Sequence, residues 1–263
     1  MKLLVIVRQV PDSTTVIQIR PDGEDIERAA VKKLVVNPFD EFAIELAVQL
    51  REKRQDVERI TALTVGPAGA GEALRTALAI GADDGLHLLD AAFEKLDELQ
   101  TAALVAGVVK DRGYDLILRG KQEIDLDSGQ LGPALAELLD WPHVGAVTGL
   151  EIAADGATLK ANRRVEGADE ITQCPLPALL TIEKGLVECR YPSLPNLMKA
   201  KKKPVETLGA DAADMAAVTS VGGVEVHRFA PPPQRPPGRV LTGDAPETAR
   251  ELARLLREEA KAI

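Results

Sequence analysis

The chain has 263 residues, of which 45% are hydrophobic and 28% charged, a composition ordinary for a globular protein and sufficient for one large domain or two small ones. Its net charge of -9 argues against a general nucleic-acid binder, because affinity for the phosphate backbone comes mostly from clustered Lys and Arg. The first residues lack the apolar core of a secretory signal, and no apolar run approaches the roughly 20 residues of a membrane helix. We therefore expect a cytoplasmic protein that binds no nucleic acid and is not an integral membrane protein.

Short apolar runs alternate with amphipathic stretches over the first 140 residues, a pattern typical of a parallel sheet flanked by helices. The predicted strands are 2–7, 60–65, 85–89 and 115–120. The predicted helices are 38–53, 69–81 and 94–111. The sequence therefore predicts an α/β fold with a doubly wound, mostly parallel, Rossmann-like sheet.

The helix at 38–53 carries start signals. Asn37 is a candidate cap, and Pro38 fits the first helical position. In a doubly wound sheet, ligands sit beyond the carboxyl ends of the strands, beside helix N-termini. Three junctions are therefore candidate ligand sites: 37–41, 65–71 and 119–133.

After Trp141 the pattern changes to alternating apolar and polar residues. The segment 145–185, with an Asp-Gly turn at 155–156, predicts an antiparallel hairpin or meander that extends the same domain.

A Pro-rich stretch, 230–239, predicts a stiff linker to a closing helix with Leu252, Leu255 and Leu256 on one face. We expect residues 1–229 to form the α/β domain. Residues 230–263 are expected to form a C-terminal arm. Its helix could pack on its own core or on a partner, and we expect it to pack on a partner subunit.

The stretch "RGKQEIDLDSGQLGP" (119–133) follows a predicted strand and leads into a helix that must begin between Ser128 and Pro133. The amides of 129–132 are then expected to be free, and such amides at the positive end of a helix bind phosphate. The alternative is an ordinary turn capped by Asp127 or Ser128. Asp125 and Asp127 lack a further ligand nearby in sequence, so we predict no metal site.

Catalytic constellations are absent from the sequence. The three histidines are far apart, and there is no G-x-S-x-G elbow, Walker A loop or G-x-G-x-x-G. A nucleotide-binding fold without catalytic groups indicates a structural ligand or redox chemistry supplied by a cofactor.

Several motifs together resemble the beta subunit of electron-transfer flavoproteins: "VNPFDEFAIELAVQL", "GADDGLHL", "GKQEIDLDSGQLGP" and "CRYPSLPNLMKAKKKP". The resemblance spans nearly the full length. It implies a heterodimer with an alpha subunit, which carries most of a shared flavin adenine dinucleotide (FAD). It also implies electron transfer from acyl-CoA-type dehydrogenases to a downstream, membrane quinone-linked oxidoreductase. In such carriers the beta subunit holds AMP as a structural ligand and has no reaction of its own.

The resemblance also implies the residues that line the beta-subunit nucleotide site. In this chain they are Ile6, Asn37, Pro38, Phe39, Asp40, Val65, Gly66, Gly120, Gln122, Asp125, Ser128, Gly129, Gln130 and Leu131.

Residues 181–203 resemble the family's partner-recognition loop, in which a leucine enters a hydrophobic pocket of the dehydrogenase. Leu186 stands at that position, and we expect Tyr191, Lys199 and Lys201 to share the docking role. Without the resemblance, Leu186 would be interpreted as a buried residue at the end of a strand. The Lys199–Lys203 cluster would be interpreted as a solvated face, or as a positive surface that attracts acidic partners.

Three positions depart from the AMP-binding pattern. Gly129 and Leu131 stand where AMP-containing members usually carry Asn and Thr, and Ser13 stands where they carry an aromatic residue. These residues resemble electron-bifurcating relatives, which hold a second FAD in the beta subunit and oxidise NADH. AMP and a second FAD therefore both remain open. A lesser alternative is a stand-alone adenine-nucleotide sensor.

Overall fold

A nine-stranded sheet runs through the centre of the computed structural model, which describes residues 1–221, 223–235 and 237–263. The strands are β1 (Lys2–Ile6), β2 (Gln9–Pro11), β3 (Leu34–Val36), β4 (Arg59–Gly66), β5 (Asp84–Leu89), β6 (Leu116–Gly120), β7 (His143–Ile152), β8 (Thr158–Val165), β9 (Ala168–Pro175), β10 (Ala178–Ile182) and β11 (Val205–Leu208). The order in the large sheet is β11-β5-β4-β1-β6-β10-β7-β8-β9, and β2 and β3 form a separate antiparallel pair.

Helices cover both faces of this sheet. The helices of the described chain are α1 (Pro38–Lys53), α2 (Gly71–Ile80), α3 (Glu98–Val109), α4 (Leu131–Leu139), α5 (Leu194–Ala200), α6 (Met215–Ser220) and α7 (Ala245–Glu258), of which α1 to α6 contribute to the core on the two faces. One buried apolar cluster contains residues of α1, α2 and α5, and a second contains residues of α3, α4 and α6. Pairing from β11 through to β7 is parallel throughout. The predicted doubly wound, mostly parallel α/β fold is confirmed.

The first helix has the predicted bounds, and Asn37 is its N-cap residue as predicted, but it does not cap the helix through its side chain. Pro38 occupies the first turn, whereas the Asn37 side chain makes no capping hydrogen bond. The side-chain nitrogen Nδ2 of Asn37 donates a hydrogen bond to the Gln122 carbonyl instead. The third helix begins at Glu98 rather than at residue 94, because Asp97 and Gln100 form a capping box there.

The prediction of an antiparallel meander over 145–185 is correct for three strands and wrong for the fourth. β7, β8 and β9 pair antiparallel. β10 instead inserts between β6 and β7 and runs parallel to both. All of its residues are buried, and a strand covered on both faces reads as a continuous apolar run rather than as an alternation. β11 forms a parallel edge strand that the sequence did not indicate.

The C-terminal arm ends in an amphipathic helix that does not enter either core cluster. No residue of α7 is buried, and Leu252 is about half exposed. Within the arm, Arg254 forms ion pairs with Glu251 and Glu258. Packing of this helix on its own core is therefore not observed. The predicted linker spans 230–239, in which Pro236 lies outside the described residues.

Candidate functional site

The carboxyl ends of β1 and β6 define a switch point of the sheet. β1 pairs with β4 on one side and with β6 on the other. Loops that leave these strands diverge to opposite faces and open a crevice, the usual ligand site of such sheets. The predicted junctions 37–41, 65–71 and 119–133 all lie at this edge of the sheet.

Asp40 ties the start of α1 to the two central strands. Its Oδ2 accepts a hydrogen bond from the Arg8 amide at 2.9 Å, and its Oδ1 accepts one from the Gly120 amide at 2.8 Å. Burial raises the pKa of Asp40, while the Arg119 charge and the two amide donors oppose the rise. Because the side chain is 1% exposed, Asp40 shapes the crevice without facing it.

Asn37 has a similar framing role for the loop that follows β6. Its Nδ2 donates to the Gln122 carbonyl at 3.0 Å, and its Oδ1 accepts from the Ile124 amide at 3.3 Å. The side chain is fully buried. Asn37 therefore fixes the course of the chain between the strand and the exposed part of the loop.

Gly120 allows α1 to pack directly against the end of β6. A Cβ added at Gly120 would lie 2.5 Å from Phe39 Cβ and 2.7 Å from the Phe39 carbonyl carbon. Phe39 is half-buried, and the Lys121 ammonium lies 5.4 Å from the centre of its ring. This contact holds the start of α1 against the end of β6.

The end of β4 lies beside the end of β1, on the side away from β6, and completes the frame of the candidate site. Gly66 adopts a φ of +138°, a conformation that favours glycine, at the turn that leads to α2. His87 Nε2 lies 3.2 Å from the Gly66 carbonyl oxygen. Burial lowers the pKa of His87, so the ring is neutral at pH 7 and supports the turn as a hydrogen-bond donor.

The loop between β6 and α4 presents the polar groups that face solvent. Asp125, Ser128 and Gln130 are exposed, and Asp125 pairs with Arg8 Nη2 at 3.1 Å. Gly129 has a φ of +62°, and a Cβ there would lie 2.9 Å from the Lys121 carbonyl oxygen. Only glycine therefore fits this turn, which brings backbone close to the mouth of the crevice.

The prediction of free amides at the start of α4 is wrong for two residues. Glu98 Oε2 accepts hydrogen bonds from the Gln130 amide at 2.7 Å and from the Leu131 amide at 3.0 Å. A buried carboxylate thus holds the position at which the sequence predicts a phosphate. The sequence cannot show this contact, because Glu98 comes from the start of α3, 32 residues before Gln130.

A buried cluster of charged side chains at the end of β6 was also not predicted from the sequence. Arg119 and Glu123 form an ion pair in which both side chains are at most 2% exposed. Among the described residues, Arg119 Nε, Arg119 Nη1, Glu98 Oε1 and Glu123 Oε2 are buried without a hydrogen-bond partner. Burial lowers the pKa of Arg119, and the charges of Asp40 and Glu98 counteract this. One feature of the sequence could have indicated this cluster, namely the single Arg within the apolar predicted strand "DLILRG".

Chemically, the described residues of this site offer hydrogen-bonding groups rather than a paired nucleophile and base. Over the described parts of the chain, no group of three or more His, Cys, Asp or Glu side chains is placed to hold a metal ion. The exposed polar side chains of the loop include the Asp125 carboxylate, the Ser128 hydroxyl and the Gln130 amide, and polar groups of this kind suit a ligand held by hydrogen bonds.

Comparison with known proteins identifies the family. Residues 29–213 match the Electron transfer flavoprotein domain. The chain is 44% identical to the electron transfer flavoprotein subunit beta of Bacillus subtilis (strain 168), over 87% of this chain and 88% of that protein. It is 38% identical to the human subunit beta, over 98% and 97% of the two chains. The chain belongs to the electron transfer flavoprotein family, as a beta subunit.

The predicted recognition loop, residues 181–203, is partly buried and partly exposed. Leu186 is half-buried and packs against the larger core cluster, whereas Tyr191 is 95% exposed. Leu194 and Met198 of α5 add exposed apolar surface beside Tyr191. Arg190 fixes the loop to α1, through hydrogen bonds to Glu45 and Glu52.

The lysine cluster of this loop is smaller than the sequence indicates. Lys199 and Lys201 are exposed, but Lys203 turns inward and donates to the carbonyls of Leu78 and Ala82 at the end of α2. Lys203 therefore stabilises the fold, and the exposed positive charge comes from the remaining lysines.

None of the helices in the described residues is long and apolar enough to cross a membrane.

Proposed function

We propose that this chain pairs with an alpha subunit, shares its FAD, and carries electrons in the cytoplasm from acyl-CoA-type dehydrogenases to a downstream, membrane quinone-linked oxidoreductase. The observation that carries the proposal is family membership over nearly the whole chain. When bound, the flavin supplies the redox chemistry. The residues of this chain supply binding surfaces and orientation.

The exposed helix α7 supports the proposed pairing with an alpha subunit. It follows a Pro-containing arm and buries no side chain in this chain, although it is strongly amphipathic. A tethered helix with an apolar stripe is stabilised when the stripe packs on another surface. We therefore assign residues 230–263 to the alpha-subunit interface.

A second nucleotide is proposed for the crevice at the ends of β1, β4 and β6. Asp40, Asn37 and the close approach at Gly120 fix the frame of this site, and Arg8, Ser128 and Gln130 carry polar groups beside it. These groups fit an adenine nucleotide. Gly129 and Leu131 bring only backbone and an apolar side chain, which leaves space for the longer diphosphate of a second FAD as well as for AMP.

Nucleotide analysis of the complex tests this proposal. The chain would be co-expressed with its alpha subunit, and the nucleotides released by heat from the pure heterodimer would be counted by chromatography. One FAD and one AMP per heterodimer is the result expected for a simple carrier. Two FAD and no AMP would favour the bifurcating alternative, to be followed by an assay of NADH oxidation. One FAD and no second nucleotide would contradict the proposed site.

The recognition loop gives a prediction for electron entry. Replacing Tyr191 with Ala removes the most exposed large apolar side chain of the loop and is expected to lower kcat/KM for reduction by an acyl-CoA dehydrogenase about tenfold. Leu186→Ala is expected to have a similar effect together with some loss of stability, because Leu186 also packs on the core. The flavin content of both variants should stay unchanged.

Leu138→Ala is the matched control for this prediction. It truncates an exposed leucine of α4, outside the recognition loop, and should leave the kinetics unchanged. Unchanged kcat/KM in both loop variants would refute the docking role.

A further inference from the structure

We propose that Glu98 is a displaceable carboxylate that competes with the phosphate of the bound nucleotide for the first amides of α4. This inference rests on the proposed nucleotide site. It makes Glu98 a determinant of which ligands the crevice accepts and how tightly it holds them.

The geometry of Glu98 is that of a bound anion. One oxygen, Oε2, takes the hydrogens of two consecutive amides, Gln130 and Leu131, at the N-terminus of α4. A helix N-terminus favours a negative group in this position, whether carboxylate or phosphate. The same amides cannot serve Glu98 and a phosphate at once. A ligand phosphate that reaches them must therefore move the carboxylate.

Arg119 offers the carboxylate a second place to bind. Its Nη2 is paired with Glu123, but within the described residues its Nε and Nη1 are buried without a partner. Glu98 is close enough that its charge raises the pKa of the guanidinium, against the larger effect of burial. Glu98 Oε1 is likewise buried without a partner in the described chain. A buried guanidinium with two open donors suits a carboxylate that leaves the helix, because the charge stays compensated.

This arrangement predicts selectivity for charge. With the crevice empty, Glu98 satisfies the amides of α4, so the site does not expose uncompensated donors. A phosphate provides more negative charge and more acceptor atoms than the carboxylate and can replace it. A ligand without phosphate cannot, so adenosine would bind without moving Glu98.

Calorimetric titration of the nucleotide-free heterodimer tests the proposal. The probe is AMP, which is also the adenylate half of FAD, and adenosine is titrated in parallel. Glu98→Gln keeps an oxygen acceptor for the amides but removes the charge, so AMP is expected to bind on the order of tenfold more tightly. Adenosine binding should not change. The control Glu137→Gln makes the same change on an exposed residue at the other end of α4 and should bind AMP like the unchanged protein.

Equal or weaker AMP binding by Glu98→Gln, with normal binding by the unchanged protein, would overturn the role of Glu98 and leave the site intact. Absence of AMP binding in both would overturn the site and this inference together. A crystal structure of the unchanged heterodimer with AMP needs no variant. We expect Glu98 to have left the Gln130 and Leu131 amides for Arg119, and retention of both amide bonds would refute the proposal.

Discussion

Gly120→Ala is expected to lower the free energy of unfolding by about 1–3 kcal/mol and to weaken binding of the nucleotide proposed for the beta subunit. The added methyl would lie 2.5 Å from Phe39 Cβ and 2.7 Å from the Phe39 carbonyl carbon. Backbone cannot rotate away as the end of a side chain can, so α1 must move off β6. That movement also stretches the hydrogen bond from the Gly120 amide to Asp40. Urea denaturation of the purified complex and nucleotide counting measure the two effects.

Gly107→Ala is the matched control. Gly107 lies within α3, and no atom lies within 4 Å of a Cβ added there. The same substitution should therefore stabilise the helix by up to about 1 kcal/mol, since alanine is the better helix former. If the two variants behaved alike, the close packing of α1 on β6 would not be what positions the crevice.

Arg119→Met is expected to be the most destabilising single change, by about 3–5 kcal/mol. Methionine has a similar length but leaves the fully buried Glu123 without its cation, close to the buried Asp40. An uncompensated buried carboxylate is much more costly than the loss of the ion pair itself. Unfolding in urea, followed by circular dichroism, measures the change. A loss below about 1 kcal/mol would contradict the buried pairing.

The double variant Arg119→Met, Glu123→Leu separates pairing from packing. Because it removes both charges of the pair and keeps apolar volume, it should be more stable than Arg119→Met alone. A coupling free energy from the double-mutant cycle near zero would mean that the two side chains act independently, against the contact between them.

Local signals were sufficient for much of the fold. Helix α1 begins and ends where the sequence predicts, because Pro at the first turn and apolar residues three and four apart act within one segment. The strands that end at Ile6, Gly66 and Gly120 were found within one residue or so of their bounds, since each is a short apolar run between polar loops. The position of the crevice followed from the order of these elements.

Long-range pairing accounts for what was missed. β10 looks like the last strand of a meander, yet it enters the parallel sheet between β6 and β7, where α1 and α4 pack on it and its residues are all buried. In the predicted recognition loop Leu186 is half-buried against the core while Tyr191 is 95% exposed, and the ion pairs of Arg190 with Glu45 and Glu52 hold this loop on α1. Neither outcome is encoded in the spacing of nearby residues.

The sequence by itself determined the family, the α/β class and the loop that shapes the candidate site, since these depend on motifs and on periodicity along the chain. Only the tertiary structure decided which groups occupy that site. Glu98 reaches the amides of Gln130 and Leu131 because α3 and α4 pack side by side. Arg119 is buried with Glu123 at the end of β6. The physical reason is that folding brings charges far apart in sequence into one water-poor space, where each must find a partner.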